Sequence, residues 1–158
     1  TNAMGQDLNR AWQSASQDRS PEVLFVQHQM EHYGVDLFLD IHGDEEIPYV
    51  FTAACEGNPG YTSRIEALEK HFREHLSGLT RDFQTAHGYT RDLPGEANMT
   101  LACNAVGEKY DCLSLTLEMP FKDNDDSPNP KTGWSGERSK QLGKDVLSTV
   151  ADMVTALR

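Results

Sequence analysis

The sequence predicts an α/β protein built on a parallel or mixed sheet. Residues 35–41 are apolar except for Asp36 and Asp40, which is typical of a short strand buried on both faces. Leu113, Leu115 and Leu117 alternate with small polar residues, which predicts a second strand with period two. Helical patterns precede the first strand and follow the second, so we expect helices to cover a sheet.

The remaining elements follow from local signals along the chain. Ser20 and Pro21 are typical of a helix start, and Gly34 is expected to end that helix. Apolar spacings of three and four residues predict helices over residues 61–79 and 135–157. Residues 48–54 and 99–103 are predicted as strands, and residues 80–95 as a loop.

Length and charge set the class of protein. The 158 residues suit a single domain over 1–158. The net charge of −11 argues against nucleic acid and anionic membranes, and no apolar run reaches the roughly 20 residues of a membrane span. Three cysteines without a Cys-x-x-Cys pair indicate buried thiols in a reducing compartment, so we expect a cytoplasmic protein.

His42 leaves the first predicted strand at its carboxyl end, followed by Gly43. Ligands of open α/β sheets gather at such ends. A histidine on a rigid strand end makes a good metal ligand, because it loses little freedom when the metal binds. An equally ordinary interpretation is a histidine that is hydrogen-bonded at a strand terminus.

Glu118 follows the alternating leucines at the end of the other strand. If the two strands run the same way in one sheet, Glu118 and His42 lie over the same edge. A metal-bound histidine with a nearby carboxylate that is not a ligand is what metal-assisted hydrolysis needs. The alternative for Glu118 is a carboxylate in a salt bridge at a strand end.

Two other patterns carry less weight. His28 with Glu31, and His71 with Glu74 and His75, match zinc-site spacings in predicted helices. We expect both to be surface helix, with Glu66, Glu69, Lys70 and Arg73 on a solvated face. Asn9 and Arg10 could bind a carboxylate through an amide and a guanidinium fork, although such pairs are common on surfaces.

Three segments in this order resemble the zinc metallocarboxypeptidases, and most closely their cytosolic carboxypeptidase-like branch: DLNRAW at 7–12, DLFLDIHG at 36–43 and LTLEMPF at 115–121. The resemblance implies a three-layer α/β/α sandwich around a mixed, twisted sheet. It implies that His42 is a zinc ligand, that Glu118 is the general base and acid, and that Asn9 and Arg10 hold the substrate's terminal carboxylate. It also implies a mobile tyrosine, for which Tyr89 and Tyr110 are the candidates.

The chain departs from the family pattern in one respect. The family's first two zinc ligands come from a His-x-x-Glu segment well before the Asn-Arg pair, and the sequence begins at Thr1. We therefore expect the C-terminal part of a carboxypeptidase catalytic domain, which binds one Zn²⁺ with further ligands upstream of Thr1. Its partners would be peptide or protein C-termini and the missing N-terminal part, and this part alone would be inactive.

Two other functions stay open. The first is a non-catalytic, metal-free module that binds carboxylate-terminated peptides through Arg10. The second is an amidohydrolase acting on a small acyl-amino acid. The sequence does not indicate which side chain a peptidase would prefer.

Overall fold

A computed structural model describes residues 1–157 and contains four α-helices and three strands in that range. After a short 3-10 helix at Leu8–Arg10, the order is α1 (Pro21–Tyr33), β1 (Leu37–Asp44), β2 (Phe51–Ala54), α2 (Ser63–Leu79), α3 (Ala102–Tyr110), β3 (Leu113–Pro120) and α4 (Gly136–Leu157). The predicted α/β class is confirmed.

The sheet is mixed, and β3 lies at its centre in the strand order β1-β3-β2. Strand β1 pairs with β3 in parallel, with Leu37 opposite Leu113 and Asp44 opposite Pro120. Strand β2 pairs antiparallel with the other side of β3. A parallel pair needs a long crossover, and here it passes through β2, α2 and α3.

Helices cover both faces of β3. Its leucines point into a core formed with Phe72 and Leu76 of α2 and with residues of α4. On the opposite face, the Ser114 hydroxyl donates to the backbone oxygen of Cys103 in α3, at 2.7 Å. The three-layer α/β/α arrangement is therefore confirmed, because alternate residues of one strand meet different helices.

Strand β1 departs from the prediction of a strand buried on both faces. Strand β3 is almost wholly buried, whereas the residues of β1 are half-buried or exposed, and Ile41 is 54% exposed. Within residues 1–157, β1 has only β3 beside it and forms an edge of the sheet. The apolar run indicated a core strand, but the number of neighbouring strands decides burial.

The predicted strand at residues 99–103 is wrong, because Ala102 and Cys103 begin helix α3. Leu101 precedes the helix, and its apolar side chain cannot accept a hydrogen bond from the first backbone N–H groups of α3. Instead, Oδ1 of Asn9 accepts the backbone N–H of Ala102 at 2.9 Å, across 93 positions of sequence. A short apolar run does not distinguish strand from helix, and this cap comes from a distant segment.

Local signals predicted the other helices well. Helix α1 starts at Pro21 after Ser20 and ends before Gly34, whose φ of 78° favours glycine. Helix α2 is capped by the Thr62 side chain, which accepts from the backbone N–H of Ile65. No helix within the described range is long and apolar enough to cross a bilayer.

Candidate active site

The ends of β1 and β3 bring His42 and Glu118 together. The two residues are direct partners in the parallel register. Nδ1 of His42 lies 3.7 Å from Oε1 of Glu118. The predicted meeting of these two groups over one sheet edge is confirmed, because strands that run the same way end at the same edge.

Asp40 orients the imidazole of His42. Its side chain lies on the same face of β1, two residues earlier, and its Oδ2 is 3.0 Å from Nε2 of His42. This hydrogen bond is the main reason that the pKa of His42 is raised, and the charge of Glu118 acts in the same direction. With Nε2 engaged by Asp40, Nδ1 is the nitrogen that faces Glu118 and the cleft.

Glu118 is a buried carboxylate with one unused oxygen. Burial raises its pKa above the ordinary value, although the Tyr89 hydroxyl and His42 oppose the shift. Its Oε1 is 3.0 Å from the Tyr89 hydroxyl, whereas its Oε2 is buried and has no hydrogen-bond partner among residues 1–157. A buried acceptor without a donor is costly unless a bound group supplies one.

Tyr89, rather than Tyr110, lies at the cleft. Its hydroxyl is 2.6 Å from Oδ2 of Asp44 and also contacts Glu118. Burial is the largest cause that raises its pKa, followed by the hydrogen bond to Asp44. Tyr110 packs beside a separate cluster formed by Val35, Val106 and Cys112. Both tyrosines were candidates from the sequence, whereas Asp44 was not, because its only signal was its position two residues after His42.

Asn9 and Arg10 line the same cleft as His42 and Glu118. The cleft has a volume of about 620 Å³. Asp7 caps the short 3-10 helix by accepting from the backbone N–H of Asn9, and Arg10 donates to the backbone oxygen of Asn9 at 3.1 Å. The Arg10 guanidinium is exposed and lies close enough to His42 to oppose protonation of the imidazole.

One helix face was predicted incorrectly. Glu69 is only 4% exposed, and its Oε1 is 2.5 Å from Nη1 of Arg73. Arg73 also donates to the hydroxyl and the backbone oxygen of Thr52 in β2, and the Tyr61 hydroxyl donates to Glu69 at 2.6 Å. Arg73 therefore reaches the wall of the cleft. The sequence signal was the four-residue spacing of Glu69 and Arg73, which does not distinguish a buried ion pair from a solvated one.

The helical histidine patterns lie away from the cleft. His28 and Glu31 are exposed, and Glu31 pairs with Lys109. His71 pairs with Asp152 of α4 at 2.9 Å. The expectation of surface helix is confirmed for these side chains. Within residues 1–157, no group of three or more His, Cys, Asp or Glu side chains is arranged to hold a metal ion.

Solved structures share this fold. A metallo-carboxypeptidase from Pseudomonas aeruginosa is 66% identical with a TM-score of 0.98, and the match covers all of this chain and 42% of that one. Along its whole length, the chain is similar in sequence and fold to part of a metallo-carboxypeptidase. A family member from Burkholderia cenocepacia is 44% identical with a TM-score of 0.94, over 98% of this chain and 41% of that one.

A curated relative matches the chain over a similar part of its length. An uncharacterized protein of Zymomonas mobilis is 50% identical over 157 residues, which are 99% of this chain and 41% of that protein. No protein-family model matches the chain. The chain therefore spans about two fifths of the length of the metallo-carboxypeptidases and the curated relative that it matches.

Proposed function

We propose that this chain supplies part of the active site of a zinc-dependent metallocarboxypeptidase, which hydrolyses the C-terminal peptide bond of peptides or proteins. The observation that supports this most strongly is the meeting of His42 and Glu118 at the ends of two parallel strands. Arg10 lines the same cleft and could fix a substrate carboxylate. The names of the related structures support a metal-dependent peptidase.

The residues of this chain fit one part of a zinc site. His42 would hold the ion through Nδ1, since Asp40 occupies Nε2 and a carboxylate behind a ligating histidine is the usual support. Zinc supplies Lewis acidity, which makes water a stronger acid and polarises the scissile carbonyl. Catalytic zinc sites commonly use three protein ligands. We propose that the others come from sequence upstream of Thr1.

Glu118 is the proposed general base and acid. Its unpartnered Oε2 can accept a proton from the attacking water, and the same group can return the proton to the leaving amine. Burial suits this role, because it raises the pKa of Glu118 toward the range in which a carboxylate exchanges protons readily.

Asn9 and Arg10 are the proposed carboxylate clamp. Oδ1 of Asn9 is used by the N–H of Ala102, so its Nδ2 can donate to a substrate carboxylate. Arg10 adds a guanidinium fork, which suits a carboxylate. The Pseudomonas relative was solved with (2-guanidinoethylmercapto)succinic acid, a carboxylate ligand, which supports a clamp of this kind.

The test uses the intact gene product and measures both zinc content and peptidase turnover. Glu118→Gln should reduce kcat by about 10²- to 10⁴-fold with zinc retained, because only the proton transfer is removed. Arg10→Ala should chiefly raise KM. Glu45→Gln and Arg81→Ala are matched controls, since both residues are exposed and lie outside the cleft.

The second candidate is a metal-free module that binds carboxylate-terminated peptides. It is favoured by one observation, that Asn9 and Arg10 both line the cleft, because an amide and a guanidinium can bind a carboxylate without a metal. Peptide binding without zinc or turnover in the intact protein would support this candidate and contradict the peptidase. Turnover of a small acyl-amino acid but of no peptide would instead indicate an amidohydrolase.

Two further expectations complete the proposal. We propose that residues 1–158 are a single unit, the C-terminal part of the catalytic domain, and that the N-terminal part of the same domain is its partner. We also propose that the protein acts in the cytoplasm, where the buried thiols of Cys55, Cys103 and Cys112 would stay reduced.

A further inference from the structure

Asp44 ends β1 with its carboxylate fixed in one orientation. Its Oδ1 accepts the backbone N–H groups of Glu46 at 2.7 Å and Ile47 at 2.6 Å, which forms an Asx turn. Its backbone oxygen accepts the N–H of Phe121 at 3.0 Å, which ties the turn to the end of β3. The side chain cannot rotate without breaking two hydrogen bonds, so Oδ2 presents a fixed acceptor.

Tyr89 lies in the loop that joins α2 to α3, and its hydroxyl meets this acceptor at 2.6 Å. Its ring contacts Phe51 edge-on, with centroids 5.0 Å apart. The neighbouring Gly88 passes so close to Phe51 that a Cβ there would lie 2.9 Å from the ring. The loop therefore packs against β2, while the tyrosine hydroxyl reaches the end of β1.

The hydroxyl of Tyr89 has one proton for two carboxylates. Asp44 Oδ2 lies 2.6 Å away and Glu118 Oε1 lies 3.0 Å away. The shorter distance assigns the donated proton to Asp44, since hydrogen bonds to a charged acceptor are short. Asp44 then holds the tyrosine beside Glu118 without Glu118 having to supply the acceptor.

We propose that Asp44 is a positioning residue, which anchors Tyr89 over the cleft and orders the loop around it before substrate binds. The loop has other anchors: Gln84 donates to the backbone oxygen of Val50 at 3.2 Å, and His87 stacks on Tyr49. The bond between Asp44 and Tyr89 connects the loop to the end of β1. Its effect on catalysis rests on the proposed function, whereas its effect on the loop does not.

The test measures hydrogen exchange of the loop in the intact gene product. The amides of Ala86 and His87, which bond to the side chain of Gln84, report on loop opening. Asp44→Ser keeps a short acceptor for the turn but cannot reach Tyr89, and Tyr89→Phe removes the hydroxyl alone. Each change should raise the exchange rate of these amides about tenfold, because a hydrogen bond to a charged group is lost.

The double variant separates positioning from general damage to the turn. If Asp44 acts through Tyr89, Asp44→Ser with Tyr89→Phe should exchange no faster than either single variant. Glu45→Ser, in the same turn and exposed, should leave exchange unchanged. Additive effects, or no effect of Tyr89→Phe, would overturn the proposal.

A kinetic measurement adds a second readout. Asp44→Ser should raise KM about tenfold and change kcat less, because the substrate must then order the loop itself. A loss of about tenfold in kcat with KM unchanged would contradict a role in loop ordering. If the unchanged protein hydrolyses no peptide, the peptidase proposal fails, while the exchange experiment still decides the role of Asp44.

Discussion

The imidazole of His42 lies between two carboxylates that act on different nitrogens. Asp40 contacts Nε2 at 3.0 Å, and Glu118 faces Nδ1 at 3.7 Å. A neutral imidazole has one N–H, and Asp40 is positioned to accept it, which leaves the lone pair on Nδ1. Asp40, two residues before His42 in the same strand, thus selects the tautomer that the proposed zinc site needs.

This arrangement predicts the effect of removing the charge of Asp40. In the intact gene product, Asp40→Asn should weaken zinc binding by about 10- to 100-fold, because the supporting carboxylate raises the basicity of the ligand. Competition with a chelator measures the change. Asp18→Asn, at an exposed position, is the control. Equal zinc affinity in Asp40→Asn and the unchanged protein would show that Asp40 has no such role.

At the scale of elements, α2 serves both the core and the cleft. Leu68, Phe72 and Leu76 form its buried stripe, while Glu69 and Arg73 turn toward β2. Helix α4 packs along the apolar stripe, and its Asp152 meets His71 at the rim. The position of Arg73 in the cleft therefore depends on how firmly the apolar stripe is packed.

The seam between α2 and α4 gives a stability prediction. Leu76 is 0% exposed, so Leu76→Ala should lower the free energy of unfolding by about 2–5 kcal/mol, through lost burial and the cavity left behind. Leu147→Ala in α4 is the control, since that side chain is 70% exposed and should change stability by less than about 0.5 kcal/mol. Urea unfolding measures both, and equal effects would contradict the packing described.

Glu69 gives a prediction of pH dependence. Burial raises its pKa above 4.5, although the Tyr61 hydroxyl and Arg73 oppose the shift. The folded chain then binds a proton at Glu69 more tightly than the unfolded chain does. This contribution to the free energy of unfolding is present below the ordinary carboxyl pKa, and it is lost as the pH rises through the raised value.

The difference in the free energy of unfolding between the unchanged chain and Glu69→Gln should therefore decrease as the pH rises above the ordinary carboxyl pKa of 4.5. Chemical unfolding at several pH values measures this difference. Glu66→Gln, exposed on the same helix, should show no such trend. A difference that increases with pH would mean that Arg73 outweighs burial at Glu69.

On the scale of the whole molecule, the chain is about two fifths of the length of its relatives, and β1 ends the sheet within residues 1–157. Ile41 of β1 and Phe121 just beyond β3 are exposed apolar side chains. His42 is the one zinc ligand that we propose within this chain. We infer that the site requires the rest of the domain.

This inference predicts a difference in metal content. The 158-residue chain should bind zinc weakly, whereas the intact gene product should retain about one ion per molecule, because three protein ligands are the usual number in catalytic sites. Metal analysis after dialysis measures both. Tight, stoichiometric zinc in the 158-residue chain would show that its own histidines complete a site, and His42→Ala would then identify whether His42 belongs to it.

The sequence by itself determined the α/β class, the two main strands, the placement of His42 and Glu118 near the carboxyl ends of those strands, and the starts and stops of three helices. These features depend on neighbours one to four positions apart, such as the alternation of Leu113 and Leu115 or the glycine after α1. The segments around Asn9, His42 and Glu118 also indicated the family, since their letters and order are specific.

Only the tertiary structure decided the rest. It placed Asp44 against Tyr89, buried Glu69 beneath Arg73, gave helix α3 a cap from Asn9, and left β1 exposed at a sheet edge. The physical reason is the same in each case. Burial and partners of these groups depend on segments far away in the sequence, and periodicity along the chain carries no information about them.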